Sequence, residues 1–364
     1  MTIKKAIAPF YERLSLVLIG VVTLGYLIVE GKDILDPLMF GFLFAILLLP
    51  VCDFFEKKLR FPRSIASFIS IILLVGFVSS VLYLVGSQIS KLMDDWPMLQ
   101  KQLSQSVNNI YGWIESTFHY DVDKQKAFLS TTEKKIISSG TLVVGTTFGA
   151  VSSLLLFYIF IIIFTFFLLF YRKLLFGFML QAFGKDNEPI VKDIAENIQG
   201  ILRQYILGLI LEMTIVAAVA CTGFWMIGIK YAVLLGIIVG LFNIIPYLGI
   251  FTALLISVLV TFATGPISNA IYVGISVIVI HALDSNILLP TIVGSKVRLN
   301  ALITFLGILL GEMMWGLSGM FLSIPTMAIF KIIFDRIEST KPWGYLLGGD
   351  YEYKKSAEKK MKTE

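Results

Sequence analysis

The sequence predicts an all-α polytopic membrane protein of six to eight transmembrane helices, with two broken or re-entrant segments and a small polar helical insertion. Three observations carry this. The 364-residue chain is 57% hydrophobic and only 15% charged, whereas soluble domains average about 25% charged. Five apolar runs approach or exceed the ~20 residues that a helix needs to cross a bilayer. A further run, residues 231–280, contains no Asp, Glu, Lys, Arg or His. As one helix it would be ~75 Å long against a ~30 Å hydrocarbon core, so it must fold back on itself.

The first apolar run, 14–29, follows Lys4, Lys5 and Arg13. No small-residue cleavage site comes after it, and it reads as an uncleaved first span. Runs at 34–51 and 64–86 complete an N-terminal unit of three membrane helices, residues 1–86. Residues 87–140 are polar. Their Leu99, Leu103, Val107, Ile110 and Ile114 recur at helical spacing, which predicts an amphipathic helix on the outside of the membrane or capping the bundle. The main membrane unit, 141–335, opens with helices at 142–170 and 204–229.

The uncharged run then divides at Asn243-Ile-Ile-Pro-Tyr-Leu-Gly249 into halves of about 15 residues, ~23 Å each as helix and short for a crossing. They fit a hairpin entering from outside, followed by a span at 267–283. A second broken segment, 301–330, is interrupted near Trp315-Gly-Leu-Ser-Gly319. The competing reading runs 231–263 and 301–330 as single tilted spans. Residues 336–364 form a basic tail.

Orientation follows the Lys/Arg bias of short loops. Lys57, Lys58, Arg60 and Arg63 lie after the second run, whereas Lys32 stands alone after the first. Both termini are therefore expected in the cytoplasm. The net charge of +5, from 30 Lys and Arg against 25 Asp and Glu, is too even to suggest a nucleic-acid partner. Cys52 and Cys221 offer neither a disulfide framework nor a metal site.

The order Gln204-Tyr-Ile-Leu-Gly208, Asn243-Ile-Ile-Pro-Tyr-Leu-Gly249, Leu289-Pro-Thr-Ile-Val-Gly294 and Gly316-Leu-Ser-Gly-Met320 resembles the autoinducer-2 exporter family, also called PerM-like permeases. Asp36-Pro37 and Phe61-Pro62-Arg63 resemble that family's N-terminal half. The resemblance implies a multi-pass protein of the bacterial inner membrane that exports a small polar solute such as autoinducer-2. Sodium or proton antiport is the alternative within the family, and a non-transporting scaffold the alternative outside it. Partners would be membrane lipid and a small solute or cation, with homo-oligomerisation left open and no cofactor. The family's usual Glu before the Leu-Pro element is shortened here to Asp284, and Leu209 stands where members often have Gln.

Backbone breaks inside a membrane require protein or water to satisfy the freed groups, and they mark substrate paths. The substrate-path candidates are Asn243, Pro246, Tyr247, Gly249, Gln204, Gly208, Gly316, Ser318 and Gly319. Intramembrane ionisable groups are costly and point to function, so Glu212, Asp284, Glu312 and His281 are candidates for ion or proton coupling. Gln204, Gly208 and Glu212 recur every four positions and are expected to share one face. An enzyme is not expected. Gly316-Leu-Ser-Gly319 fits an intramembrane protease pattern, but His281 precedes the serine, against that family's order.

Overall fold

The structure is a computed structural model and describes residues 10–98, 100–102, 105, 147–245, 248–292 and 299–348. Among these residues every regular element is helical. Six helices are long and apolar enough to cross a membrane, with shorter apolar helices between them.

Helices α1 (Phe10–Glu30) and α2 (Lys32–Asp53) meet at Gly31. A single π turn, Phe54–Lys58, ends α2. Pro62, in extended geometry, then starts α3 (Arg63–Asp94). Helix α3 runs eight residues past the apolar run, so the beginning of the polar insertion continues a membrane helix. The remainder of the insertion lies largely outside the described residues. Helices α4 (Thr147–Phe170) and α5 (Arg172–Phe183) follow. Gly41 lets α2 approach α4 closely, since a Cβ there would lie 2.8 Å from that of Phe164.

Helix α6 (Glu188–Ile227) spans 40 residues, ~60 Å. It begins well before the apolar run because 188–203 is itself amphipathic, with Val191 and Leu202 buried and Lys192, Asp193 and Arg203 outward. Gly228, at φ 82°, caps its end and turns the chain into α7 (Ala232–Phe242). Next come α8 (Leu248–Thr264) and α9 (Ile267–Leu283), then a π turn at Asp284–Leu288 and the short α10 (Leu289–Ile292). Asn300 caps α11 (Ala301–Trp315) by accepting from the Leu302 N–H at 2.9 Å. Helix α12 (Leu317–Arg336) and α13 (Lys341–Gly348) close the described chain.

Both broken segments fold as hairpins. Helix α7 runs back along α6, with Gly236 seated on Cys221 and Gly240 on Ala217. Helix α8 turns at Gly265-Pro266 into α9 and packs against it, Val258 against Gly274. The far end of α9 reaches the far end of α7, because Asp284 bonds to Asn243. Helix α8 is therefore antiparallel to both. In the second hairpin, Gly311 and Gly319 bring the backbones of α11 and α12 into contact, and Gly307 meets Met327 further down. The tilted single-span alternative is excluded for both segments.

Three apolar clusters hold the bundle. The first joins α6, α7, α8 and α9 around Phe224, Leu235 and Val277. The second joins α2, α6 and α12 around Leu43, Leu202, Leu209 and Leu322. The third joins α2, α3 and α4 around Cys52, Ala66 and Leu169. Ile244 and Trp315, at the tips of the two hairpins, both pack on the second cluster, so the two breaks border the same core.

Candidate functional site

Glu212, on α6, and Asp284, at the first position of the π turn, are 2% and 3% exposed. Charged side chains are almost never this buried unless paired. Asn243, just past the last turn of α7, lies between them. Its amide donates to Glu212 Oε1 at 3.3 Å and to Asp284 Oδ2 at 3.1 Å. Both carboxyls therefore lie against the one Asn243 nitrogen. Four carboxyl oxygens thus face two N–H donors, and Glu212 Oε2 and Asp284 Oδ1 have no partner among the described residues. Buried charges require a partner of opposite sign, and a proton or a cation is what could satisfy this arrangement.

His281 belongs to the same locus. It lines, with Asn243, Asp284, Val216 and Val277, a cavity of about 10 Å³, close to the least that holds one water. Its Nε2 bonds to Ser285 Oγ at 3.2 Å, and its Nδ1 is buried without a partner among the described residues. The break positions Asn243 through Gly249: a Cβ at Gly249 would run into the Phe242 carbonyl, so glycine alone lets α8 leave so close to the end of α7.

The other predicted residues fall elsewhere. Gly208 is buried on α6, but Gln204 is exposed. A four-residue step advances ~40° around an α-helix, so two steps carry Gln204 ~80° from Glu212, and the expected shared face does not form. Glu312 is exposed on α11. Its neighbour Gly311 makes the contact with α12, which turns Glu312 ~100° outward. Gly316 takes φ 67° and makes the second turn, Gly319 is buried against α11, and Ser318 bonds to Asp36. Pro246 and Tyr247 lie outside the described residues.

Two features escaped the sequence reading. Asp36, on α2, is 4% exposed; an acidic residue a turn into an apolar run was the available signal. A cavity of about 800 Å³ also opens between α2, α5, α6 and the end of α12, walled by residues such as Ile46, Phe176 and Ile194. Its rim arginines are engaged, Arg172 with Asp53 and Glu56 and Arg336 with Asp193. Arg172 thereby ties α5 to the turn after α2.

At the opposite end of the bundle, Asp95 joins α3 to the base of the first hairpin. Lys230 pairs with it at 2.7 Å, and the Tyr231 hydroxyl donates to it. These bonds, that of Lys230 foremost, hold the Asp95 carboxyl below its ordinary value.

A family model described as AI-2E family transporter matches residues 15–339. The chain belongs to the AI-2E transporter family. Relatives named as candidate transport proteins align over most of their length. YrrI of Bacillus subtilis is 26% identical over 83% of this chain and 86% of its own. YueF of the same organism is 24% identical over 82% of each. YhhT of Escherichia coli is 20% identical over 87% of this chain and 89% of its own. With its six candidate spans, this AI-2E family member is a multi-pass membrane transport protein.

Proposed function

We propose that this AI-2E family chain is a secondary transporter in which a monovalent cation, a proton or sodium, binds at Glu212, Asn243 and Asp284 and drives a small polar solute outward across a bacterial inner membrane. The observation that carries the reading is the pair of buried carboxyls sharing one amide at a hairpin tip. Broken helices supply such sites in secondary transporters because their ends leave backbone groups free near the bilayer centre. The basic turn at 57–63 lies at the same end of the bundle as Arg172, which pairs with Asp53 and Glu56. The positive-inside bias supports a cytoplasmic location for that end and for both termini.

The test is a proteoliposome assay in which a pH gradient is imposed and sodium is added. If sodium and protons compete for the one site and exchange there, wild type is expected to dissipate the gradient, Glu212→Gln with Asp284→Asn to abolish the effect, and Glu312→Gln to preserve it. Dissipation by the double variant at the wild-type rate refutes coupling at this site.

The family description favours a second reading, export of autoinducer-2 itself. A water-sized cavity at the carboxyl pair leaves no room for a sugar-sized solute there, so such a solute requires the hairpin tips to separate. Uptake of labelled autoinducer-2 into inverted vesicles, against vesicles lacking the protein, tests it.

A further inference from the structure

The tip of the second hairpin carries its own buried polar group. The Ser318 hydroxyl donates to Asp36 Oδ2 and also lies 3.0 Å from the Trp315 carbonyl oxygen. One hydrogen thus serves a carboxylate and a carbonyl. Asp36 Oδ1 is buried and has no hydrogen-bond partner among the described residues. Trp315 ends α11, so its carbonyl is one of those that a helix terminus leaves without an intrahelical donor. The nearest cation acting on Asp36 is Lys32, one turn earlier on α2 and itself exposed.

We propose that Asp36, Ser318 Oγ and the Trp315 carbonyl form a second cation site, taking a hard monovalent ion such as sodium. Every ligand is oxygen, the donor class that hard cations select. One ligand is a carbonyl at the end of a half-helix, as in the ion sites of broken-helix transporters. The site rests on the reading of the chain as a cation-coupled transporter and extends it, because the two sites flank one barrier. Leu209 lies a turn before Glu212 and Leu322 a turn beyond Ser318. Both belong to the apolar cluster on which Ile244 and Trp315 pack. An ion released from Glu212 and Asp284 would meet this cluster before reaching Asp36.

The competing structural role is capping: a carboxylate at the start of α12 is favoured by the helix dipole without any ion. Equilibrium binding of radioactive sodium to the purified full-length chain separates the two. Wild type is expected to bind two ions per chain, Asp36→Asn one, and Glu212→Gln with Asp284→Asn one. Ser318→Ala should keep both but weaken one about tenfold, the usual scale for one polar contact.

The ion retained by Asp36→Asn reports that it is folded. Wild-type stoichiometry in Asp36→Asn overturns the second site and leaves capping. If Asp36→Asn does not fold, Ser318→Ala decides, and unchanged affinity overturns the proposal. Loss of an ion in Asp36→Asn with none lost in the Glu212 and Asp284 variant upholds the second site and removes the first. A wild type that binds no sodium overturns the second site, while proton exchange in liposomes still upholds the first.

Discussion

Replacing Asn243 with alanine isolates the contact on which the candidate site depends. The variant deletes both N–H donors to Glu212 and Asp284, which sit at 3.3 and 3.1 Å. Neutral interhelical hydrogen bonds in membranes average only ~0.6 kcal/mol, and a charged acceptor roughly doubles that. Two such bonds contribute ~2.5 kcal/mol, which at ~2 °C per kcal/mol for a chain of this size is a fall of ~5 °C in Tm.

The second perturbation is Asn243→Ala combined with Glu212→Gln. Because the side chains of residues 212 and 284 both lie against the one Asn243 nitrogen, the new amide is placed to donate to Asp284 and one negative charge disappears. The double variant is therefore expected to recover at least half of the lost stability, a coupling that additive sites do not show. Thermal unfolding of the detergent-solubilised protein, followed by size-exclusion fluorescence, measures both. An unchanged Tm for Asn243→Ala, or a double variant equal to the sum of the singles, would refute the shared-amide geometry.

Other predictions follow from the same contacts. Gly319→Leu should prevent hairpin closure, since even a Cβ there meets the Gly311 carbonyl; protease resistance of 301–336 in membranes is expected to vanish. Gly316→Ala, forced to φ 67°, should cost ~1–3 kcal/mol, seen as a lower Tm with the fold retained. Arg172→Ala should loosen α5 from the turn after α2, and Arg172→Lys should restore only part, because a point charge cannot serve Asp53 and Glu56 as a planar fork does; cross-linking of cysteines across that junction reads it.

The Asp95 contact should be acid-sensitive. The folded-state value lies below the ordinary carboxylate range, so its stabilisation is complete above about pH 4 and fades as pH falls through the lowered value. Asp95→Asn should abolish that acid dependence in the unfolding profile.

The first hairpin was legible because an uncharged run longer than the bilayer leaves the chain no other course, and Asn243 and Gly316 announced where the two segments turn. Glu212 and Asp284 were legible singly, as costly groups in apolar helices. Their meeting was not: it depends on the antiparallel return of α7 and on the π turn that aims Asp284 inward, neither of which has a spacing to read. Gln204 and Glu312 are both exposed. Spacing placed Gln204 on the face of Glu212 and cost placed Glu312 at a site, while the 100° advance per residue carried both outward. Asp36 was visible only as part of a motif, since its partner Ser318 is 282 positions away.

The π turn at Asp284–Leu288 has a consequence for engineering. A π turn is an α-helix carrying one surplus residue, usually at some loss of local stability. Deleting Asn286 would restore a regular ladder and give a sturdier helix. Because the wide turn absorbs the extra residue, side chains beyond it would keep their facing, and the change would fall on the turn itself. Asp284, the first residue of that turn, would lose the wide ladder that sets it against Asn243. A screen that selects only for heat resistance would reward such a deletion in isolation, so this helix is one that consensus stabilisation should leave irregular.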